Sequence, residues 1–274
     1  MKKYGNVIKS ILFLFILSVL MGVLSCILIP KNNKGEFGMR NIAAHGFLGE
    51  QDNTIDVLFI GDSLAYSSFF PLQLYENYGF TSYTIGTPAQ KMFEAYDFLE
   101  TFLETQSPQV VILESGELIR DYSTNEALLS EISSYIPFFA YHDRWKNISA
   151  KDFNRDIHYT SIDLTKGYKK IDKVVPTEKK DYMKKTKNTS FIPKRNKFYL
   201  KRIQDLCEKK GIEFMMVSTI TLKSMNYARH NSFQKLSELY HIDYLDLNLE
   251  PSIVIDWTTD TYDGGEHLNY SGAQ

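Results

Sequence analysis

The chain changes its hydrophobic pattern twice. Residues 10–30, SILFLFILSVLMGVLSCILIP, carry no charged side chain. At helical rise such a run spans about 30 Å, the depth of a bilayer core. A polar stretch follows over residues 31–54, and beyond it short apolar runs alternate with longer amphipathic ones. Residues 55–60 form a β-rich run ended by Gly61, and 71–78 read as the helix that follows. A second strand is predicted over 81–85, ended by Gly86. A helix is predicted over 91–105, with Met92, Phe93, Tyr96, Leu99 and Phe102 on one broad face. Residues 110–113 are continuously apolar, as a strand buried on both faces should be. The alternation resumes with a helix over 194–210 stopped by Gly211, a strand over 212–218, a helix over 230–240 and a strand over 242–247. Strands alternating with helices predict an α/β domain with a parallel sheet covered on both faces. Residues 121–193 interrupt the alternation with a polar, Lys-rich, aromatic-dotted insertion, expected over the edge or the C-terminal rim of the sheet. The stop at Gln274, with no further helix after the last motif, suggests a C-terminal truncation.

The apolar run places a tail (1–9), a transmembrane anchor (10–30) and a juxtamembrane linker (31–54) before a domain over 55–274. Lys2, Lys3 and Lys9 precede the span, so the N-terminus is expected in the cytoplasm and the domain outside. Lys31 and Lys34 weaken that asymmetry. Two other readings stay open: a cleaved signal peptide, and a lipoprotein signal at Val23-Leu24-Ser25-Cys26, after which Ile27-Leu28-Ile29 keep the sequence apolar. Cys26 and Cys207 are the two cysteines, one in the apolar run and one in a helix, so no disulfide framework exists. An exported domain without disulfides fits a Gram-positive bacterium. The 31 basic and 33 acidic residues leave a net charge of -2, which gives no general attraction to nucleic acid.

Gly61-Asp62-Ser63 falls on the first strand-to-helix turn, where open α/β sheets build sites. There a serine hydroxyl lies near free helical N–H groups that can hold an oxyanion. It needs a base, and Asp263-Gly264-Gly265-Glu266-His267 supplies a histidine with a carboxylate to orient it. The glycine pair lets Asp263 turn back towards the imidazole. Asp260 and Glu266 are alternative acids.

Phe59-Ile60-Gly61-Asp62-Ser63, with Asp263, His267-Leu268-Asn269 and Ser271-Gly272-Ala273, resembles the SGNH (GDSL) hydrolase superfamily. More narrowly it looks like a membrane-anchored branch with DltD-type and alginate-acetylation-type proteins. The likeness covers residues 55–274 in strand order and is sharp at the two ends. It implies a flavodoxin-like three-layer α/β/α fold and a Ser63–His267–Asp263 triad. It also implies an oxyanion hole from the Ser63 and Gly86 backbone, with Gln90 adding a side-chain donor. Two departures stand out. The Gly-x-Asn expected after the third strand is replaced by Glu114-Ser115-Gly116-Glu117, and the acid lies four residues before the histidine rather than three.

The resemblance therefore implies an extracytoplasmic esterase or O-acyltransferase that needs no cofactor. Its substrate would be acetyl or D-alanyl esters of an envelope polysaccharide or teichoic acid, or another acylated small molecule. A membrane-bound O-acyltransferase stands as a partner if the acyl group is passed on. The alternative is a catalytically silent scaffold that binds envelope polymer or a membrane partner, which the missing asparagine motivates. His142-Asp143-Arg144-Trp145 either lines a substrate groove or is a capped loop with a packed Trp. Lys179, Lys180, Lys184, Lys185 and Lys187 form either a solvated face or a contact for anionic polymer. Glu114 is either structural or a cleft residue. His45, His158, His230 and His241 lack metal-ligand spacing.

Overall fold

The computed structural model describes residues 2–178 and 181–274. The α-helices, in chain order, are α1 (Lys2–Leu28), α2 (Ser63–Ser68), α3 (Pro71–Tyr78), α4 (Met92–Phe102), α5 (Thr124–Tyr135), α6 (Pro137–Tyr141), α7 (Lys194–Lys210), α8 (Tyr227–Tyr240) and α9 (Tyr270–Ala273). The strands are β1 (Val57–Gly61), β2 (Ser82–Gly86), β3 (Val110–Glu114), β4 (Glu213–Ser218) and β5 (Asp243–Asp246). The chain separates into two units, one holding residues up to 40 together with 122–160, the other 41–121 together with 161–274.

The larger unit is an α/β domain around one parallel sheet of order β2-β1-β3-β4-β5. This is the flavodoxin-like strand order, whose direction of growth reverses beside β1. Right-handed crossovers then put α2 and α3 on one face and α4, α7 and α8 on the other. Rings pack across α4 and α7, with Tyr96 and Tyr199 centroids 6.1 Å apart. Leu58, Ile60, Tyr83, Ile85, Val111, Leu113 and Met216 are buried in the sheet, and their continuous apolar runs follow from that two-sided cover. The strands start or end within a residue or two of where periodicity predicts. Helix α8 begins earlier than predicted, at Tyr227, because the Asn226 side chain caps it by accepting the Arg229 N–H at 3.0 Å.

The linker and the insertion are where the sequence pattern and the structure differ most. Residues 41–54 are part of the α/β unit. Phe47 is buried against Tyr83 and Phe102, and the Tyr83 hydroxyl donates to the Ala43 carbonyl at 2.6 Å. The insertion divides. Residues 161–178 stay with the sheet, where the Thr84 N–H of edge strand β2 donates to the Lys166 carbonyl at 2.9 Å. Residues 122–160 join α1 instead.

In that smaller unit, residues 4–24 of α1 present exposed apolar side chains, whereas Ser25 and Leu28 are buried. The end of α1 is held by named contacts. The Phe138 N–H donates to Ser25 Oγ at 3.0 Å, Lys31 Nζ donates to the Cys26 carbonyl at 2.5 Å, and Arg144 donates to the Leu28 carbonyl. Carbonyls left over at a helix C-terminus are thereby met by two cations. Arg144 also pairs with Asp152 at 2.6 Å, and Asp143 with Arg40. His142-Asp143-Arg144-Trp145 is thus a helical turn of this unit, with Trp145 exposed.

Candidate active site

Each letter of Gly61-Asp62-Ser63 has a physical task. A Cβ on Gly61 would lie 2.6 Å from both Ala65 Cβ and Glu114 Cβ, so only glycine lets the end of β1 pass between α2 and β3. Asp62 is the N-cap of α2: one carboxylate oxygen accepts the Leu64 N–H at 2.8 Å and the other pairs with Arg120 at 2.5 Å. Ser63 is then the first helical residue. Its own N–H has no intrahelical acceptor, and the helix dipole favours negative charge at that end. The turn sits at the reversal point of the sheet, at the ends of the paired strands β1 and β3.

His267 reaches the same place from the other end of the domain. Its Nε2 lies 2.7 Å from Ser63 Oγ, and its Nδ1 lies 2.5 Å from Asp263 Oδ2. Asp263 Oδ1 accepts two backbone N–H groups, from Glu266 at 3.1 Å and His267 at 3.0 Å. Burial raises the Asp263 carboxyl, but these bonds and the neighbouring His267 outweigh it and hold the group below the ordinary carboxylate range. The loop closes because Gly264 and Gly265 take left-handed φ of +75° and +100°. A side chain at Gly265 would press Leu222 at 2.9 Å. The Tyr262 ring stacks on the imidazole at 5.2 Å and 9°. The spacing of four rather than three residues is the span of this Asp263 turn.

The other two acids are occupied elsewhere. Asp260 accepts the Asp256 N–H at 2.9 Å and the Ser271 hydroxyl at 3.1 Å. Glu266 accepts from the Ser224 hydroxyl and, at 3.4 Å, from Thr221.

Of the expected oxyanion donors, Ser63 lies at the head of α2 and Gly86 ends β2 directly opposite Gly61. A Cβ on Gly86 would stand 3.1 Å from the Asp62 carbonyl, so its lack of a side chain keeps β2 tight against the Ser63 turn. Gln90 must be corrected. It is fully buried, its Oε1 accepts from the Thr87 N–H and hydroxyl, and its Nε2 donates to Glu117 at 3.0 Å. A buried amide engaged at both ends is no donor to a substrate.

Glu114 is likewise buried, beneath the turn. It accepts from the Gly116 N–H at 2.8 Å and from Thr219, tying the end of β3 to the end of β4. Burial first, and then the charge of Asp62, push Glu114 up, and they push Glu117 well above the ordinary range too.

A cleft of about 410 Å³ opens over Ser63 and His267. Its lining adds three groups that the sequence did not single out: Arg120, Ser224 and Arg229. Arg229 donates to the Ser224 carbonyl; burial pushes its guanidinium down, opposed by Glu266. A helix-borne arginine in an amphipathic segment carries no signal of its own, so periodicity could not have found it. Lys184, Lys185 and Lys187 are exposed, while Lys179 and Lys180 lie outside the described residues. His230 bonds Asp246 at 2.8 Å, and among the described residues no group of three or more His, Cys, Asp or Glu is placed to hold a metal ion.

No family model matches the chain, and no curated protein matches it significantly in sequence. Solved structures similar to it include a putative acylhydrolase from Bacteroides fragilis (11% identity, TM-score 0.39, 84% of this chain and 87% of that one). Another is a putative platelet activating factor protein from Streptococcus pneumonia (12%, 0.41, 85% and 84%). A third is the acetyl xylan esterase AlAXEase (15%, 0.40, 80% and 94%).

Proposed function

We propose that the chain is a serine hydrolase of the SGNH type, an esterase or O-acyltransferase. The observation that carries this reading is the continuous relay Ser63 Oγ–His267 Nε2, 2.7 Å, and His267 Nδ1–Asp263 Oδ2, 2.5 Å. Both distances are those of direct proton transfer partners.

Asp263 accepts the Nδ1–H and so leaves Nε2 with its lone pair towards the serine. As Ser63 Oγ bonds to the ester carbonyl carbon, its proton passes to Nε2. The carbonyl oxygen takes the negative charge against the Ser63 and Gly86 backbone N–H groups. Collapse breaks the ester C–O bond, and His267 returns the proton to the departing alcohol. The acyl-Ser63 ester is then attacked by water (hydrolysis) or by a hydroxyl acceptor (transfer), with His267 again taking the proton.

The polar cleft, with Arg120, Ser224 and Arg229 beside the relay, suits a sugar or polyol better than a fatty chain. The apolar α1, long enough to cross a bilayer, supports a single-pass protein with Lys2, Lys3 and Lys9 inside and the α/β unit outside. The substrate is then an acetyl or D-alanyl ester of an envelope glycopolymer, as in the DltD-type and alginate-acetylation-type branch, with a membrane-bound O-acyltransferase as partner if the acyl group is passed on.

The test is labelling of the full-length protein by a fluorophosphonate. Labelling of wild type that vanishes in Ser63→Ala is expected. Absence of labelling in wild type, or equal labelling of Ser63→Ala, refutes a serine enzyme and leaves the silent scaffold. Comparing released acetate with polymer acylation in cells carrying Ser63→Ala then separates hydrolysis from transfer.

A further inference from the structure

The smaller unit contains a groove of about 1000 Å³ that the chemistry above does not use. One wall is α1 itself, from Ser18 through Val19, Gly22 and Val23 to Cys26. The other is the inserted segment, chiefly Tyr135, Pro137, Phe153 and Ile157, with Lys31 and Arg155 also in the lining. We propose that this groove is occupied by an acyl chain of a bilayer phospholipid, so that residues 122–160 lie in the membrane interface rather than in solvent. The inference rests on the reading of α1 as a retained membrane span.

Three observations carry it. Residues 4–24 of α1 display exposed apolar side chains, among them Ile11, Phe13, Phe15 and Leu20, and burial begins at Ser25. With Lys9 at the cytoplasmic surface, the stretch from Ser10 to Leu24 covers about 22 Å at 1.5 Å per residue, short of the hydrocarbon core of about 30 Å, so the bilayer reaches the level of Ser25. The groove wall extends to Ser18, seven residues below, a distance of about 10 Å on the helix axis. Its inserted wall therefore lies at a depth where lipid, not water, surrounds α1.

The insertion is also built for that depth. Tyr135, Trp145 and Phe153 are 82%, 64% and 65% exposed, and Leu128 and Leu129 are exposed on α5. Such exposed apolar surface is unusual on a soluble segment and marks a surface that meets lipid or protein. Trp and Tyr with nearby Lys are the residues of membrane interfaces, and Lys146 lies over the Trp145 ring at 5.8 Å. The carbonyls at the end of α1 are already satisfied by Lys31 and Arg144, and the groove lining is mostly apolar, with Asp152, Asn154 and Arg155 among its polar groups. Lipid tails surrounding α1 are the adjacent material that fits the apolar walls.

The test uses the full chain in phospholipid vesicles with Trp145→Phe, Trp257→Phe and Phe153→Trp, so that position 153 is the one reporter. Expected is a blue-shifted emission, quenched about twofold or more by phospholipid brominated on its acyl chains and insensitive to aqueous iodide. A second reporter, native Trp145 with Trp257→Phe, guards against a perturbed groove and is expected to be quenched less. Water-like emission at 153, quenched by iodide and not by bromolipid, overturns the inference. Protection from both quenchers also overturns it, because protein then fills the groove. Intact mass of the vesicle-bound protein shows whether α1 is retained. Loss of α1 refutes the anchor reading and the groove together, whereas retained α1 with a solvent-exposed reporter refutes the groove alone.

Discussion

Ser63 stands on a turn fixed by the sheet, whereas His267 stands in a loop whose one ladder contact is an isolated Thr261–Leu268 bridge. The serine side is braced by backbone geometry: β1 pairs on both edges, Asp62 caps α2, and two buried carboxyls lie beneath. The histidine side is held by scattered hydrogen bonds, some from side chains and some between backbone groups of neighbouring loops. Asp263 takes two N–H groups, Asn269 donates to the Lys173 and Thr259 carbonyls, and Leu222 N–H donates to the Gly265 carbonyl at 2.7 Å. A nucleophile on a rigid turn and a base on a stitched loop fail differently. Damage to the first should cost the fold; damage to the second should cost the reaction.

The largest effect is expected where both halves meet. Ser63→Ala and His267→Ala should each lower kcat/KM on a short-chain aryl ester by about 10⁴-fold or more, with little further loss in the double variant, because the two act as a unit. Additive losses would break the relay as drawn. Next is Asp263→Asn, which keeps an oxygen for the Glu266 and His267 N–H groups but presents an amide to Nδ1. About 10³–10⁴-fold in kcat is expected with an unchanged melting temperature, since the wrong tautomer is held in the right place. A loss below about tenfold would mean that another group orients His267.

Two glycines sharpen the contrast. Gly61→Ala forces Ala65 and Glu114 apart at 2.6 Å inside the sheet, and about 1–3 kcal/mol of global stability should go, several degrees of melting temperature. Gly265→Ala meets Leu222 at 2.9 Å with φ at +100°. Its strain stays in the loop, so activity should fall more than thermal stability does. The reverse ranking would show that the histidine loop, not the sheet, limits the fold.

The same contrast explains what could be read in the sequence. The Ser63 turn was legible because its determinants are local: an apolar run of strand length, a glycine where it ends, and a capping Asp. The acid was legible less sharply: Asp260, Asp263 and Glu266 lie within seven residues, and the Gly264–Gly265 pair that favoured Asp263 in the sequence is the left-handed turn that brings it to Nδ1. Gln90 misled because a glutamine near a strand end offers the same donors whether it faces a cleft or the core; Glu117 settles it by accepting them. Asn196, fully buried on α7, holds the Leu118 and Arg120 carbonyls at 2.8 and 2.9 Å, a pairing across more than seventy positions that no periodicity encodes. Residues 122–160 escaped for a related reason. Their apolar positions are ordinary in number, and what they pack on, α1, lies a hundred residues away.

The smallest effect probes the floor beneath the rigid half. Glu117 is fully buried, accepts from Gln90, and burial together with the charges of Asp62, Glu114 and Glu94 holds its carboxyl well above the ordinary 4.5. In the unfolded chain the group loses its proton near 4.5; in the folded chain it keeps it. Above that pH the folded state therefore binds the extra proton, and stability falls as pH rises. Glu117→Gln keeps an acceptor for Gln90 and removes the titration. It should match wild type near pH 4 and exceed it in melting temperature by a margin that grows as pH rises to 8. Glu114 has the same sign, so a residual downward slope should persist in the variant. Asp263, held low, adds stability that is lost only on acidification below the ordinary carboxylate range, outside this window. Parallel melting curves for wild type and variant from pH 4 to 8 would place the charge of the floor elsewhere. A gap that opens with pH while kcat/KM stays within about twofold would show that the rigid half carries a stability cost that the reaction does not need.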